Sequence, residues 1–166
     1  GDFKGSTVAT SPAYSFCSQV IEVDVDVETG MIEVVHGYDV HDAGTIVNPR
    51  LMSGQVHGAF YMGLGESLYE EVKFRPDGSV WNGNLANYRI FTAMDMPDIS
   101  NGLVPIHDEP AAPWGVKEVG EGSNNPTMGA IRNAVIDAIG VNLPQLPFTS
   151  ERVWQAIQEK KASEGK

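Results

Sequence analysis

The sequence predicts an α+β fold in which antiparallel β hairpins pack against helices. Three observations predict it: apolar residues alternate with acidic ones over residues 18–27, a glycine-rich helical pattern covers 50–65, and two amphipathic helical patterns end the chain. A chain of 166 residues is long enough to bury one hydrophobic core, and it contains no internal repeat. We therefore expect residues 1–166 to form a single domain.

The first strand has one apolar and one acidic face. Apart from Val20, which is out of phase, its apolar face carries the residues Ile21, Val23, Val25 and Val27. A turn at residues 28–30 leads into a return strand at 31–40. The two strands and the turn between them predict a hairpin. The acidic face is predicted to be solvated, because hard cations need converging oxygens rather than one face of a strand.

The helix predicted at 50–65 is unusually rich in glycine, with Gly54, Gly58, Gly63 and Gly65. Each glycine inside a helix costs about 1 kcal/mol relative to alanine. Their spacing therefore indicates close approach of either a neighbouring helix or a bulky cofactor, and the pattern leaves both open. Gln55 lies within this segment and could hydrogen-bond a flat heterocycle through its amide.

Later segments predict one more hairpin and two helices. The hairpin joins 72–74 to 79–81 through a Pro-Asp-Gly turn. One helix covers about 126–139, and the other begins after a Thr149-Ser150 cap. Residues 162–166 are predicted to form a frayed tail.

Glu121 is the residue most suggestive of chemistry. It lies between Gly120 and Gly122, which remove side chains from both sides and let a ligand approach the backbone. Ser123-Asn124-Asn125 is predicted to cap the following helix, with Pro126 in its first turn. A carboxylate at this place can act as a general base or can simply complement the helix dipole, and the residues alone leave both readings open.

Composition excludes several classes of function. The net charge of −11 argues against nucleic-acid binding, since phosphates would be repelled. No apolar run approaches the ~20 residues that span a membrane. The single cysteine, Cys17, excludes an intrachain disulfide and fits a reducing, cytoplasmic location. The N-terminus has neither a starting methionine nor a signal-peptide core, so we expect a fragment of a larger chain.

Three segments resemble motifs of a known family, and they occur in the family's order. These are the glycine-rich helix at 54–65, the stretch at 85–97 with its Asn-Tyr-Arg sequence, and the segment 117–121, which reads Lys-Glu-Val-Gly-Glu. Together they resemble the C-terminal, molybdopterin-binding part of the large subunit in the xanthine dehydrogenase/aldehyde oxidase family. The resemblance extends from about Ser11 to Ile157.

The resemblance implies roles for individual residues. Glu121 matches the family's catalytic base beside the molybdenum, and Gln55 matches a glutamine close to the molybdopterin. Gly54, Gly120 and Lys117 are expected to contribute to cofactor binding. No residue of this chain is expected to be a metal ligand, and His57 occupies a variable position of the motif.

The residue after Glu121 departs from the common family pattern. Many members have two prolines there, whereas this chain has Gly122 and Ser123. In this respect the chain resembles the branch that contains 4-hydroxybenzoyl-CoA reductase, in which a glycine follows the glutamate. The substrate implied by that branch is an aromatic CoA thioester.

The family's chemistry is the hydroxylation, or reductive dehydroxylation, of an aromatic or aldehyde carbon by a metal-bound oxygen. The implied cofactor is molybdenum-molybdopterin in its cytosine dinucleotide form. A 2Fe-2S cluster and FAD are expected on other subunits or domains. The implied partners are the remainder of the molybdopterin-binding subunit, an iron–sulfur subunit and an FAD subunit. Two other readings are a non-catalytic assembly module of the same family and an unrelated acidic α+β binding domain.

Overall fold

The structure of the protein, a computed structural model, describes residues 13–104 and 110–165. The expectation about the N-terminus concerns residues outside these ranges. Among the described residues the fold is α+β, as predicted: a three-stranded sheet, three helices and a short 3₁₀ helix. In chain order the elements are β1 (Phe16–Val25), β2 (Ile32–Asp42), α1 (Pro49–Leu68), β3 (Asp98–Leu103), the 3₁₀ helix (Pro113–Gly115), α2 (Thr127–Ile139) and α3 (Ser150–Glu164).

The first predicted hairpin is confirmed. β1 and β2 pair antiparallel, from Phe16 opposite Asp42 to Val25 opposite Ile32. The turn between them needs glycine, because Gly30 has a φ of +74° and its backbone lies against α3. β1 ends two residues earlier than predicted, so Val27 lies outside the strand and is exposed.

The rest of the sheet differs from the prediction. β3 was not predicted, and it pairs parallel to β2, from His36 opposite Asp98 to His41 opposite Leu103. The hairpin predicted at 72–74 and 79–81 is present but short: the backbone N–H groups of Arg75 and Trp81 donate to the Ser79 and Lys73 carbonyls at 2.8 and 2.7 Å. These bonds flank one antiparallel bridge between Phe74 and Val80. Both of these side chains are largely exposed, so no buried face supports a longer pairing.

Helix α1 provides much of the core. Asn48 caps its start, since the Asn48 side-chain oxygen accepts a hydrogen bond from the Leu51 N–H at 3.1 Å, and the helix continues three residues beyond the predicted end. Phe60 and Leu64 are fully buried between the sheet and α2. Gly37 of β2 admits the Phe60 ring, since a Cβ there would lie 2.5 Å from it. The core residues packed around these two are Ile21, Ile32, Leu68, Phe91, Ile131, Val135, Leu143, Phe148, Val153 and Ile157.

The glycines of α1 serve two different faces. At Gly63 a Cβ would lie 2.5 Å from the side chain of Thr127, so this glycine lets α2 approach α1 closely. Gly54 and Gly58 are exposed and have open space around the position of a Cβ. Close helix packing therefore explains Gly63, and the exposed face with Gly54 and Gly58 is open to another molecule.

The two C-terminal helices follow the prediction closely, but one cap does not. α2 begins at Thr127 after Pro126 without a side-chain cap, so the predicted cap by Ser123-Asn124-Asn125 is wrong. The α2 helix ends as predicted at Gly140, which has a φ of +63°. α3 begins after Thr149 as predicted and continues to Glu164, so fraying at 162–166 stays a prediction. No helix in the described ranges is long and apolar enough to cross a membrane.

The contrast between the α1 glycines predicts opposite effects of one substitution. Gly63→Ala should lower the free energy of unfolding by about 1–3 kcal/mol, because the new methyl group would force Thr127 and α2 away. Gly58→Ala in the same helix should raise it by up to about 1 kcal/mol, because nothing opposes the methyl group. Urea unfolding followed by circular dichroism measures both, and equal effects would contradict the packing described.

Candidate functional site

Glu121 lies in a run of turns between the sheet and α2, which we call the Glu121 turn (residues 120–126). Its backbone carbonyl accepts hydrogen bonds from the N–H groups of Asn124 at 3.0 Å and Asn125 at 3.4 Å. Its carboxylate is exposed and has no hydrogen-bond or ion-pair partner among the described residues. The backbone is thus fixed while the carboxylate stays available to a ligand.

The Glu121 carboxylate borders a cleft of about 860 Å³, called here the Glu121 cleft. The cleft lies between the start of β1 and the Glu121 turn. Its other lining residues are Ala13, Tyr14, Ser15, Phe16, Cys17, Glu118, Gly122, Asn125 and Pro126.

A second carboxylate, Glu118, lines the same cleft but is already engaged. One of its oxygens accepts a hydrogen bond from the Ser15 hydroxyl at 2.5 Å, and the other accepts from the Glu121 N–H at 3.3 Å. Glu118 therefore supports the turn that presents Glu121. Sequence reasoning did not single it out, although its place three residues before Glu121 was a usable signal.

A buried polar network lies beneath the Glu121 turn. Asp39, His41, Ser123 and Thr127 are all fully buried. The Gln19 amide donates to Asp39 Oδ2 at 2.6 Å and to the Ser123 carbonyl at 2.5 Å, and it accepts from the Thr127 hydroxyl at 2.8 Å. The network ties β1, β2 and the first residue of α2 to the Glu121 turn, so it fixes where Glu121 stands.

Gly122 has a packing reason that the sequence did not show. A Cβ at this position would lie 2.4 Å from Cε1 of the buried His41 ring. The ring is held on both sides, with Nδ1 3.3 Å from the Ser123 hydroxyl and Nε2 3.3 Å from the Glu118 carbonyl. Gly120, on the other side of Glu121, has open space around its Cβ position.

An ion pair joins the segment before Glu121 to the end of β2. Lys117 Nζ donates to Asp42 Oδ2 at 2.7 Å, and the side chains are only 5% and 8% exposed. Burial acts to raise the pKa of Asp42, but hydrogen bonds from Lys117 and from the Gly44 N–H outweigh it and hold the pKa below its usual value. The Lys117 ammonium therefore has a structural contact, and its part in cofactor binding stays a prediction.

Two other predicted residues, Gly54 and Gln55, do not line this cleft. Both are exposed on α1. The Nε2 of His57, which occupies a variable position of the motif, lies 3.3 Å from Asn101 Oδ1. The structure thus brings Glu121 and Gly122 to one cleft, whereas the glutamine motif is exposed on α1 and contributes no lining residue to that cleft.

A further cleft of about 540 Å³ lies near the start of α3, beside the ion pair of Arg152 with Glu71 at 2.7 Å. None of the predicted site residues lines it. We therefore take the Glu121 cleft as the candidate site, because the Glu121 carboxylate has no partner within residues 13–104 and 110–165 and its turn rests on a buried network.

Comparison with known proteins defines the class. Residues 2–97 match the model of the molybdopterin cofactor-binding domain. The xanthine dehydrogenase molybdenum-binding subunit of Escherichia coli O157:H7 is 37% identical over 150 residues, which are 90% of this chain and 20% of that protein. The chain spans about a fifth of the length of this curated relative.

Solved structures agree with this match. The Cu,Mo-CO dehydrogenase in its carbon monoxide reduced state superimposes with a TM-score of 0.82 at 27% identity, over 93% of this chain and 20% of that chain. The aldehyde oxidoreductase of Desulfovibrio gigas gives a TM-score of 0.78 at 27% identity, and the match covers 87% of this chain and 15% of that chain. The fold is therefore that of a molybdenum hydroxylase domain. Within that class, the chain belongs to the family of the molybdopterin cofactor-binding domain, and it is similar to part of the xanthine dehydrogenase molybdenum-binding subunit.

The Asp42–Lys117 pair predicts a specific acid sensitivity. Because the folded-state pKa of Asp42 is lowered, its stabilisation is present above its unfolded pKa of about 3.8 and is lost as pH falls through the folded value. At pH 7 Asp42→Asn should lower the free energy of unfolding by about 1.5–3 kcal/mol, since it removes a buried hydrogen bond between two charged groups.

The difference between wild type and Asp42→Asn should shrink when urea unfolding is repeated below pH 3.8. The double variant Asp42→Asn/Lys117→Met is the control, because Lys117→Met should cost less in the Asp42→Asn background than in wild type if the two side chains are coupled. A pH-independent difference would contradict the ion pair.

The glycines on either side of Glu121 predict a second matched contrast. Gly122→Ala should lower the free energy of unfolding by about 1–3 kcal/mol, because its methyl group would overlap the buried His41 ring. Gly120→Ala should change it by less than about 0.5 kcal/mol, since its surroundings are open. Thermal unfolding of both variants measures the contrast, and a neutral Gly122→Ala would show that His41 does not confine this position.

Proposed function

We propose that Glu121 is the catalytic base of a molybdenum-containing oxidoreductase of which this chain forms one part. The observation that carries the proposal is an exposed carboxylate without a partner among the described residues, presented to a cleft by a backbone fixed from below. The family resemblance gives the same residue the same role. A general base needs this combination, because it must be reachable by the proton it removes and must be held in place.

The described residues fit a bound pterin. Gly54 and Gly58 put no side chain on their exposed part of α1, and the exposed Gln55 amide beside them can both donate and accept hydrogen bonds. Gly120 leaves the backbone next to Glu121 open to close approach. When bound, molybdenum-molybdopterin supplies two-electron redox chemistry.

The residues of this chain have three roles in the proposed site: proton transfer, support of the Glu121 turn, and cofactor binding. Glu121 accepts a proton at its carboxylate, and Glu118 keeps the Glu121 N–H and Ser15 in place. Gln55 and Gly54 bind the cofactor on α1. Lys117 serves the cofactor site by holding segment 115–117 to the end of β2, where the Lys117 N–H also donates to the Ala43 carbonyl at 2.9 Å.

The reaction we propose is the hydroxylation or reductive dehydroxylation of an aromatic or aldehyde carbon. The complete enzyme would be a cytoplasmic complex. It would contain the remainder of the molybdopterin-binding subunit, an iron–sulfur subunit and an FAD subunit. The cytosine dinucleotide form of the cofactor belongs to the same proposal. An aromatic CoA thioester as the substrate rests on the glycine after Glu121 and stays a prediction, because contact with His41 gives that glycine a packing reason as well.

A non-catalytic assembly module is the second candidate, and an exposed apolar face favours it. Val20 and Tyr38 are paired across the outer face of the sheet and are 64% and 46% exposed, with Val40 nearby at 45%. Such a face suits contact with other protein. Elemental analysis of the intact native complex separates the two candidates, because only the first requires stoichiometric molybdenum.

The catalytic proposal predicts the effect of one isosteric change. In the complete complex, Glu121→Gln should reduce kcat about 10²–10⁴-fold, because the amide cannot accept the proton, while molybdenum content stays near that of wild type. The assay uses whichever purine, aldehyde or aromatic CoA thioester the native complex turns over fastest.

Glu118→Gln is the matched control in the same cleft. It should reduce kcat much less, since Glu118 is engaged with Ser15 and the Glu121 N–H. Near-normal turnover of Glu121→Gln with full molybdenum would reject Glu121 as the base, and a larger loss for Glu118→Gln would transfer the role to Glu118.

A further inference from the structure

Three side chains with metal-binding atoms meet beneath the Glu121 turn. Cys17 of β1 lies directly opposite His41 of β2, and Asp39 is two residues from His41 on the same face of the sheet. One ligand atom from each of Cys17, Asp39 and His41 lies within 4.8 Å of the others. The three residues are defined here as the Cys17 cluster.

Asp39 shows that the cluster is incomplete as it stands. This side chain is fully buried, and its Oδ2 accepts from the Gln19 amide at 2.6 Å and from the Cys17 thiol at 3.3 Å. Its Oδ1 is buried without any hydrogen-bond partner among the described residues. Such an oxygen is rare in folded proteins and indicates a missing ion or water.

His41 is oriented as a metal ligand would be. Its Nε2 lies 3.3 Å from the Glu118 carbonyl, which can only accept, so the ring proton belongs on Nε2. The lone pair of Nδ1 then faces the Ser123 hydroxyl at 3.3 Å, and that hydroxyl is 3.9 Å from Cys17 Sγ. Metal-bound histidines usually donate their other ring N–H to a carbonyl or carboxylate in this way.

We propose that Cys17, Asp39 and His41 bind a zinc-type divalent cation, separate from the molybdenum. Sulfur, nitrogen and oxygen donors together suit zinc. The thiol proton leaves to solvent, and the thiolate and carboxylate then neutralise the two positive charges inside the protein. Cys17 also lines the Glu121 cleft, which gives the cation a route to the cluster.

A reactive cysteine is the competing reading, and the surroundings oppose it. Burial and the nearby Asp39 carboxylate raise the pKa of the Cys17 thiol to about 12, so without a cation it stays protonated and is a poor nucleophile. The proposal also differs from the sequence-based expectation that this chain holds no metal ligand. It does not depend on the proposed role of Glu121.

The test uses the native complex, because its metals report the site without any enzyme assay. Elemental analysis should find zinc in stoichiometric amount with this chain, in addition to molybdenum. After chelation and reloading with Co²⁺, a thiolate-to-cobalt charge-transfer band should appear, and it should be lost in Cys17→Ser.

His41→Gln and His36→Gln form a matched pair, because both histidines belong to β2 but His36 contacts Ser100 outside the cluster. The metal should be lost from His41→Gln and kept by His36→Gln. Absence of both zinc and the cobalt band in the wild-type complex would overturn the proposal, and this readout needs no variant to fold. Unchanged metal content in a folded Cys17→Ser complex would overturn it as well.

Discussion

The buried contact between the sheet and the Glu121 turn is the constraint on which the candidate site depends. Gln19 is bonded at once to Asp39, to the Ser123 carbonyl and to Thr127, which is the first residue of α2. These bonds form only if α2 lies close to both β1 and α1, and the missing side chain at Gly63 permits that approach. Core packing and site geometry are therefore parts of one arrangement.

This arrangement replaces an ordinary helix cap. Ser123 does not cap α2; its carbonyl instead accepts from Gln19 at 2.5 Å and from Thr127 at 2.9 Å. If the Glu121 turn opened, the buried polar groups that it contacts would lose their hydrogen bonds, which would destabilise the fold. Because the bond from Gln19 to the Ser123 carbonyl joins residues more than a hundred positions apart, the turn unfolds together with the core. A carboxylate at the surface is thereby held by groups that solvent does not reach.

Sequence patterns predicted those elements whose periodicity reflects burial. The β1–β2 hairpin, α1 and α2 were found because each buries one regular face. β3 was missed because its Asp-Ile-Ser-Asn-Gly-Leu sequence has little strand preference and is extended by pairing with β2. In the site, Glu121 was visible between its glycines, whereas His41 and Ser123 are 82 residues apart and no local signal joins them. The family resemblance assigned Lys117 to cofactor binding, whereas its ion pair with the distant Asp42 could not be seen in the sequence.

The outer face of the sheet has a consequence for the behaviour of the chain in solution. With Val20, Tyr38 and Val40 exposed side by side, the separated domain would bring an apolar surface into water. Its net charge of −11 would then be the main force keeping copies apart. Salt screens that repulsion without weakening apolar contacts, so self-association of the domain would increase with ionic strength.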